Sequence, residues 1–176
     1  MGREKRRCSW AVGDPLLIEY HDGEWGVPLE RDDELFERMT LEIFQAGLSW
    51  RLILQKRAAL KKAFSGFSID RVASFDEKDM ARLLEDKAII RNRLKIESTI
   101  ENARRLRRII DEHGSFAIYI SGLTGDQGEL CKEFKRKFRF MGPKIVESFL
   151  LSIGKLDGAH EPGCWMAGKP LRKTSR

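Results

Sequence analysis

Apolar residues recur along this chain at helical spacing, and no strand-like alternation lasts long enough to build a sheet. The pattern therefore predicts an all-α fold. Asp32 and Asp33 read as the cap of a helix that carries Leu35, Phe36, Met39, Ile43 and Phe44 and stops at Gly47. Ser49 reads as the cap of the next, with Leu52, Ile53, Leu60 and Phe64. Ser68 and Asp76 begin two short helices, the second with Met80, Leu83 and Leu84. A long helix is predicted from Arg91 to Glu112, with Ile96, Ile100, Leu106 and Ile110, ended by His113-Gly114. Ser121 to Gly128 reads as a loop. Glu129 to Phe138 and Pro143 to Ile153 read as the last two helices. No repeat of solenoid period is present.

Length and composition narrow the picture. At 176 residues the chain fits one domain, expected over residues 1–168 and followed by a basic tail, 169–176, expected to be disordered. Its net charge of +6 points to an acidic partner, most simply nucleic acid. A surface rich in ion pairs is the alternative, and the 27 acidic residues suit it. No apolar run can span a membrane, and the basic N-terminus lacks the apolar segment of a signal peptide. With only three cysteines, a reducing cytoplasm is expected.

Four of the six cysteines and histidines fall into two short clusters at opposite ends: Cys8 with His21, and His160 with Cys164. Two imidazoles and two thiolates complete a tetrahedral shell for zinc. No position is left open, so such a metal would be structural and would staple the two ends together. The alternative is two buried cysteines and two surface histidines.

Phe138-Arg139-Phe140-Met141-Gly142-Pro143-Lys144-Ile145 stands between two predicted helices, among Lys132, Lys135, Arg136 and Lys137. A glycine there lets backbone approach a phosphate, and the helix after it offers free N–H groups. This reads as a helix-hairpin-helix that grips a DNA strand by its backbone through Gly142, Arg139 and Lys144. Gly-Pro is also an ordinary helix–helix turn. Nearer the N-terminus, Trp10, Tyr20, Trp25, Phe44 and Trp50 are dense around Glu42. That glutamate is either on the solvated side of its helix or the polar anchor of a pocket, and helical geometry leaves both readings open.

Cys8-Ser9-Trp10, Asp14-Pro15-Leu16, Tyr20-His21-Asp22-Gly23-Glu24-Trp25-Gly26-Val27-Pro28 and Leu41-Glu42 with Gln45-Ala46-Gly47-Leu48-Ser49-Trp50 resemble the 3-methyladenine DNA glycosylase I family. Ile89-Ile90-Arg91, Lys95-Ile96, the Phe138–Pro143 hairpin and His160 with Gly163-Cys164 continue the resemblance in the same order. It covers most of the chain and is weakest from Ser115 to Glu129. It implies a helix-hairpin-helix glycosylase bundle with zinc on Cys8, His21, His160 and Cys164. It also implies a base pocket of Glu42, Trp10, Tyr20 and Trp50, with Glu42 as the catalytic carboxylate. The implied partner is double-stranded DNA containing alkylated bases, met by a monomer that releases 3-methyladenine without strand cleavage.

The chain departs from the family at Leu17, where a tyrosine is common, and at Cys131, where a serine is common. Its segment from Ser115 to Glu129 is shorter than usual. Two other readings stay open: a glycosylase of the same fold for another damaged base, and a zinc-stapled DNA-binding module without activity.

Overall fold

A computed structural model describes residues 5–169. Every regular element in it is helical. Nine α-helices follow in order: α1 Pro15–Gly23, α2 Asp32–Gln45, α3 Trp50–Ala63, α4 Ile69–Ala73, α5 Glu77–Glu85, α6 Arg93–His113, α7 Phe116–Gly122, α8 Gln127–Lys137 and α9 Pro143–Ser152. Single 3₁₀ turns lie at Ser9–Ala11 and Ser65–Phe67. No described helix is long and apolar enough to cross a membrane. The basic tail expected at 169–176 lies, beyond Lys169, outside the described residues.

Helix α2 is the axle. Every residue from Leu35 to Phe44 is buried, so the helix needs neighbours on all sides. It packs against α3, α4, α6, α7 and α9. Such a helix must also bury polar side chains, and Arg38 and Glu37 among them are paired. Arg38 donates to the Tyr20 hydroxyl (2.9 Å), the Ser152 carbonyl (3.2 Å) and Glu24 (3.0 Å). Arg57 of α3 bridges Glu24 (2.7 Å) and Glu37 (2.6 Å). The network thus joins α1, α2, α3 and the end of α9 with its charges balanced.

The capping chemistry differs from the sequence reading in an instructive way. Arg31, not Asp32 or Asp33, is the N-cap of α2. The two aspartates cap other helices across space: Asp32 accepts from the Ala117 amide at the start of α7 (3.0 Å), and Asp33 accepts from the Ile69 amide at the start of α4 (3.0 Å). Ser68 therefore makes no side-chain cap. Ser49 and Asp76 do cap α3 and α5.

The largest corrections fall between 115 and 128. The predicted loop, 121–128, shrinks to 123–126. Ser115 caps the short α7, which buries Phe116, Tyr119 and Ile120, and Asp126 starts α8 through a reciprocal capping box with Glu129. Helix α6 begins at Arg93 rather than Arg91, because Asn92 caps it.

A candidate base pocket beside a cysteine–histidine cluster

Helix α2 carries Glu42 to the wall of a cavity of about 420 Å³ lined by Trp10, Leu17, Trp25, Glu42, Gln45, Ser49, Trp50, Arg51 and Ser148. The sequence density of tryptophan is thus resolved into a box: Trp10 from the 3₁₀ turn, Trp25 from beyond α1, and Trp50 at the start of α3. Tyr20 is not among the lining residues. It is buried behind them, 5.1 Å from the Trp50 ring and 6.3 Å from Trp10, with its hydroxyl held by Arg38. Its contribution is to set the tilt of the aromatic wall. Leu17, Gln45, Ser49, Arg51 and Ser148 complete the lining. Ser148 lies more than a hundred residues from Glu42 in the chain, so nothing in local pattern could have paired them.

Glu42 is only 2% exposed, and its Oε1 has no hydrogen-bond partner. The indole Nε1 of Trp50 is likewise buried and unpartnered. An acceptor and a donor, both unsatisfied and both on residues lining one cavity, are the signature of a site that a polar ligand completes. Burial pushes the Glu42 carboxyl up to about 7, while the Ser148 hydroxyl and the Arg38 charge pull the other way. Carboxylate and carboxylic acid are therefore both accessible near neutral pH.

The four residues of the predicted metal shell converge. Their ligand atoms lie within 4.8 Å of one another. His160 Nδ1 is 3.2 Å from His21 Nε2 and 3.7 Å from Cys8 Sγ, and Cys164 Sγ is 3.4 Å from His21 Nε2 and 3.8 Å from His160 Nδ1. A tetrahedral ion bound at ~2.0–2.3 Å would set N···N edges near ~3.3 Å and N···S edges near ~3.5 Å. The cluster therefore has the size, donor types and burial to hold a metal ion. The alternative of surface histidines does not hold: His21 is fully buried and His160 half-buried.

Outer contacts orient the donors. Asp22 Oδ1 lies 2.8 Å from His21 Nδ1, which turns Nε2 toward the cluster. The Arg7 guanidinium beside Asp22 (2.7 Å), joined by the contacts to His21 and Trp165, holds that carboxyl well below the usual range. Backbone amides of Glu161 and Met166 point at Cys8 Sγ (3.2 Å) and Cys164 Sγ (3.4 Å). Burial pushes the Cys8 thiol up to about 11, so a bound cation is what would stabilise a thiolate there.

Cluster and cavity share walls. The Trp10 ring lies 5.3 Å from the His21 ring, and Trp25 Nε1 donates to the Ala159 carbonyl next to His160. Gly26 (φ +76°) fits between them: a Cβ there would meet Ala159 Cβ at 3.1 Å and His160 Nε2 at 3.3 Å.

The segment between α8 and α9 turns at Phe140, a non-glycine residue with φ +59°. Gly142 has an ordinary extended conformation and N-caps α9, and a Cβ on it would meet nothing within 4 Å. Backbone geometry therefore does not require glycine at 142; what its missing side chain leaves is open surface before a helix N-terminus. Arg139 and Lys144 are both exposed beside it.

Known proteins resemble this chain over most of its length. Residues 10–133 match the family model described as methyladenine glycosylase. The chain is 35% identical over 178 aligned positions to DNA-3-methyladenine glycosylase 1 of Escherichia coli K12, covering 90% of this chain and 95% of that one. It is 38% identical over 171 positions to DNA-3-methyladenine glycosylase of Haemophilus influenzae, covering 86% and 92%. Among solved structures it superimposes on 3-methyladenine DNA glycosylase I of Staphylococcus aureus, described for its recognition of 3-methyladenine, with a TM-score of 0.82 and 33% identity over 93% of this chain and 97% of that one. Sequence and helical frame agree, and the chain belongs to the methyladenine glycosylase family.

Proposed function

We propose that this protein is a DNA repair N-glycosylase that excises 3-methyladenine from alkylated double-stranded DNA. The observation that carries the reading is Glu42: a buried carboxylate with an unsatisfied oxygen, on a cavity walled by three tryptophans, in a member of this family.

The chemistry follows from the substrate. A base within a duplex is out of reach, so the nucleotide must be flipped into the cavity. A methylated adenine carries positive charge, and the face of an indole favours a cationic ring over a neutral one by about 1–2 kcal/mol per good contact. Ionised Glu42 accepts a hydrogen bond from the exocyclic amine and opposes the ring charge. Guanine presents a carbonyl at that edge and would be repelled. The cationic base is already a good leaving group, so cleavage by water at the sugar carbon needs little further acid catalysis. Strand cleavage would need a lysine at the sugar. No lysine lines the cavity, and Lys95, buried behind the α2 terminus, is committed to the carbonyls of Phe44 and Ala46. We read the enzyme as monofunctional.

On the same reading the turn between α8 and α9 is a helix-hairpin-helix in which Gly142, Arg139 and Lys144 hold the phosphate backbone without reading sequence. Zinc is the ion that the Cys₂His₂ donor set and its dimensions suit. Held by Cys8, His21, His160 and Cys164, it would fix the chain ends and with them the Trp10 and Trp25 walls. Residues 1–168 then act as one glycosylase domain, a monomer working on the chromosome in the cytoplasm. Leu17 favours a second reading. It lines the cavity with an aliphatic side chain, so a different damaged base of similar shape could be the preferred substrate.

The test is base release from DNA treated with a methylating agent, resolved by chromatography, for wild type and Glu42→Ala. Release of 3-methyladenine by wild type, lost in a folded Glu42→Ala protein, supports the reading. Release of other bases from a panel of deaminated and oxidised DNA would favour the second substrate. Duplex binding with no base release would leave a DNA-binding module.

A further inference from the structure

Asn102 is the one fully buried side-chain amide near the α8–α9 turn, and both of its polar atoms are spent on a single residue of that turn. Its Oδ1 accepts from the Arg139 amide (2.7 Å), and its Nδ2 donates to the Arg139 carbonyl (3.0 Å). Its accessible surface is zero. One turn further along α6, Arg105 donates to the carbonyl of Lys137 (3.1 Å) and is braced by Glu101 (2.8 Å). Helix α6 therefore holds the last residue of α8 and the first half of the turn as a splint holds a strand.

That grip sits beside a backbone under strain. Phe140, next to Arg139, has φ +59°, a conformation that a residue with an aromatic side chain adopts only when its surroundings enforce it. Phe138 and Met141 anchor the turn in the core through their side chains. Those anchors do not fix the rotation of the peptides on either side of Arg139; the paired hydrogen bonds from Asn102 do. With both backbone groups of Arg139 bonded inward, its side chain is left exposed, and the N-terminus of α9 follows three residues later.

We propose that Asn102 is a positioning residue for DNA binding: it locks the Arg139–Phe140 backbone in the conformation that presents Arg139 and the start of α9 to a phosphate strand. The role rests on the hairpin reading given above. Its physical content is preorganisation. Without the amide the turn can relax Phe140 toward negative φ, and the cost of restoring it falls on each binding event.

The test compares wild type, Asn102→Ala, Asn102→Asp and the double variant Arg139→Ala/Lys144→Ala. Two probes are used: a duplex with a tetrahydrofuran abasic analogue, and free 3-methyladenine. Asn102→Ala is expected to bind the duplex roughly tenfold more weakly, the scale of two lost hydrogen bonds of ordinary net worth. Its affinity for the free base should stay within about twofold, since the cavity lies on other residues, and its KM for alkylated duplex should rise more than its kcat falls. Asn102→Asp keeps the acceptor for the Arg139 amide but sets a second oxygen against the Arg139 carbonyl, so it should bind the duplex no better than Asn102→Ala. Equal loss of duplex and free-base binding in both Asn102 variants would mean general destabilisation and overturn the proposal. Wild-type duplex affinity in Asn102→Ala, with the double variant weakened, would overturn the role of Asn102 alone. No weakening in the double variant would remove the hairpin from DNA binding, and Asn102 with it.

Discussion

At the scale of single residues, Glu42 concentrates the chemistry. Its carboxyl titrates near 7 in the folded protein against 4.5 when freely solvated, because burial disfavours the anion. The proposed mechanism needs the anion, so kcat/KM should rise with pH and level off above about 7, an acid limb that a pH profile would show. Arg38 pulls the Glu42 titration down, so Arg38→Met should move the limb to higher pH. The same shift has a sign in stability. The folded state binds this proton more tightly than the unfolded chain, so Glu42 adds stability as pH falls from 7 towards 4.5. Above 7 the buried anion costs up to about 3 kcal/mol. Glu42→Gln removes that cost. The variant should be inactive yet melt higher than wild type at pH 8, with the gap closing by pH 5. Sequence left Glu42 undecided between solvent and pocket, because one helix face cannot show what other elements pack against it. Family resemblance favoured the pocket, and the packing of α2 places Glu42 on the cavity wall.

Elements carry a second kind of information. Lys95, near the start of α6, is 4% exposed and donates to the carbonyls of Phe44 (2.7 Å) and Ala46 (2.6 Å). These are among the last carbonyls of α2, which have no partner within the helix and sit at its negative dipole end. Lys95 thereby fixes the turn from Gln45 to Ser49, whose two ends line the cavity. Replacing it with Met keeps the aliphatic volume but leaves both carbonyls unsatisfied. A loss of about 2 kcal/mol in denaturant melts, with weakened binding of free 3-methyladenine, is the expected result. The helices with long apolar periodicity, α2, α3 and α6, were legible in the sequence, as were the stops at Gly47 and Gly114. What local pattern hid is where caps come from. Asp32 and Asp33 look like the cap of their own helix but serve α7 and α4, a pairing that exists only once those helices pack together. Helix α7 was missed because its seven residues give too short a period to read, although Ser115 followed by Phe116, Tyr119 and Ile120 carries the signal.

For the whole molecule, the decisive feature is closure of the chain on itself. Residues 8 and 21 meet residues 160 and 164, so a metal there would tie ends separated by almost the full sequence. An ion that binds only the assembled cluster adds its binding free energy to folding. Cys164→Ser should lower metal content, measured by elemental analysis, together with the melting temperature; unchanged metal stoichiometry would remove Cys164 from the ligand set. Chelation of wild type should lower the melting temperature likewise. It should also weaken free-base binding, because Trp10 and Trp25 are held against His21 and Ala159. The four residues of the cluster were readable in sequence for a simple reason: cysteine and histidine are scarce in this chain, and thiolate and imidazole have few other reasons to be paired at both ends. The helical class was readable because burying one face of a helix imposes its period on the sequence. The cavity was readable in its family residues but not in its makeup. Ser148 enters it from α9 and Tyr20 withdraws behind its wall, while away from the cavity Asn102 reaches the α8–α9 turn from mid-helix. Those placements depend on how separate helices cross, and side chains brought together from distant positions leave no periodic trace in the chain.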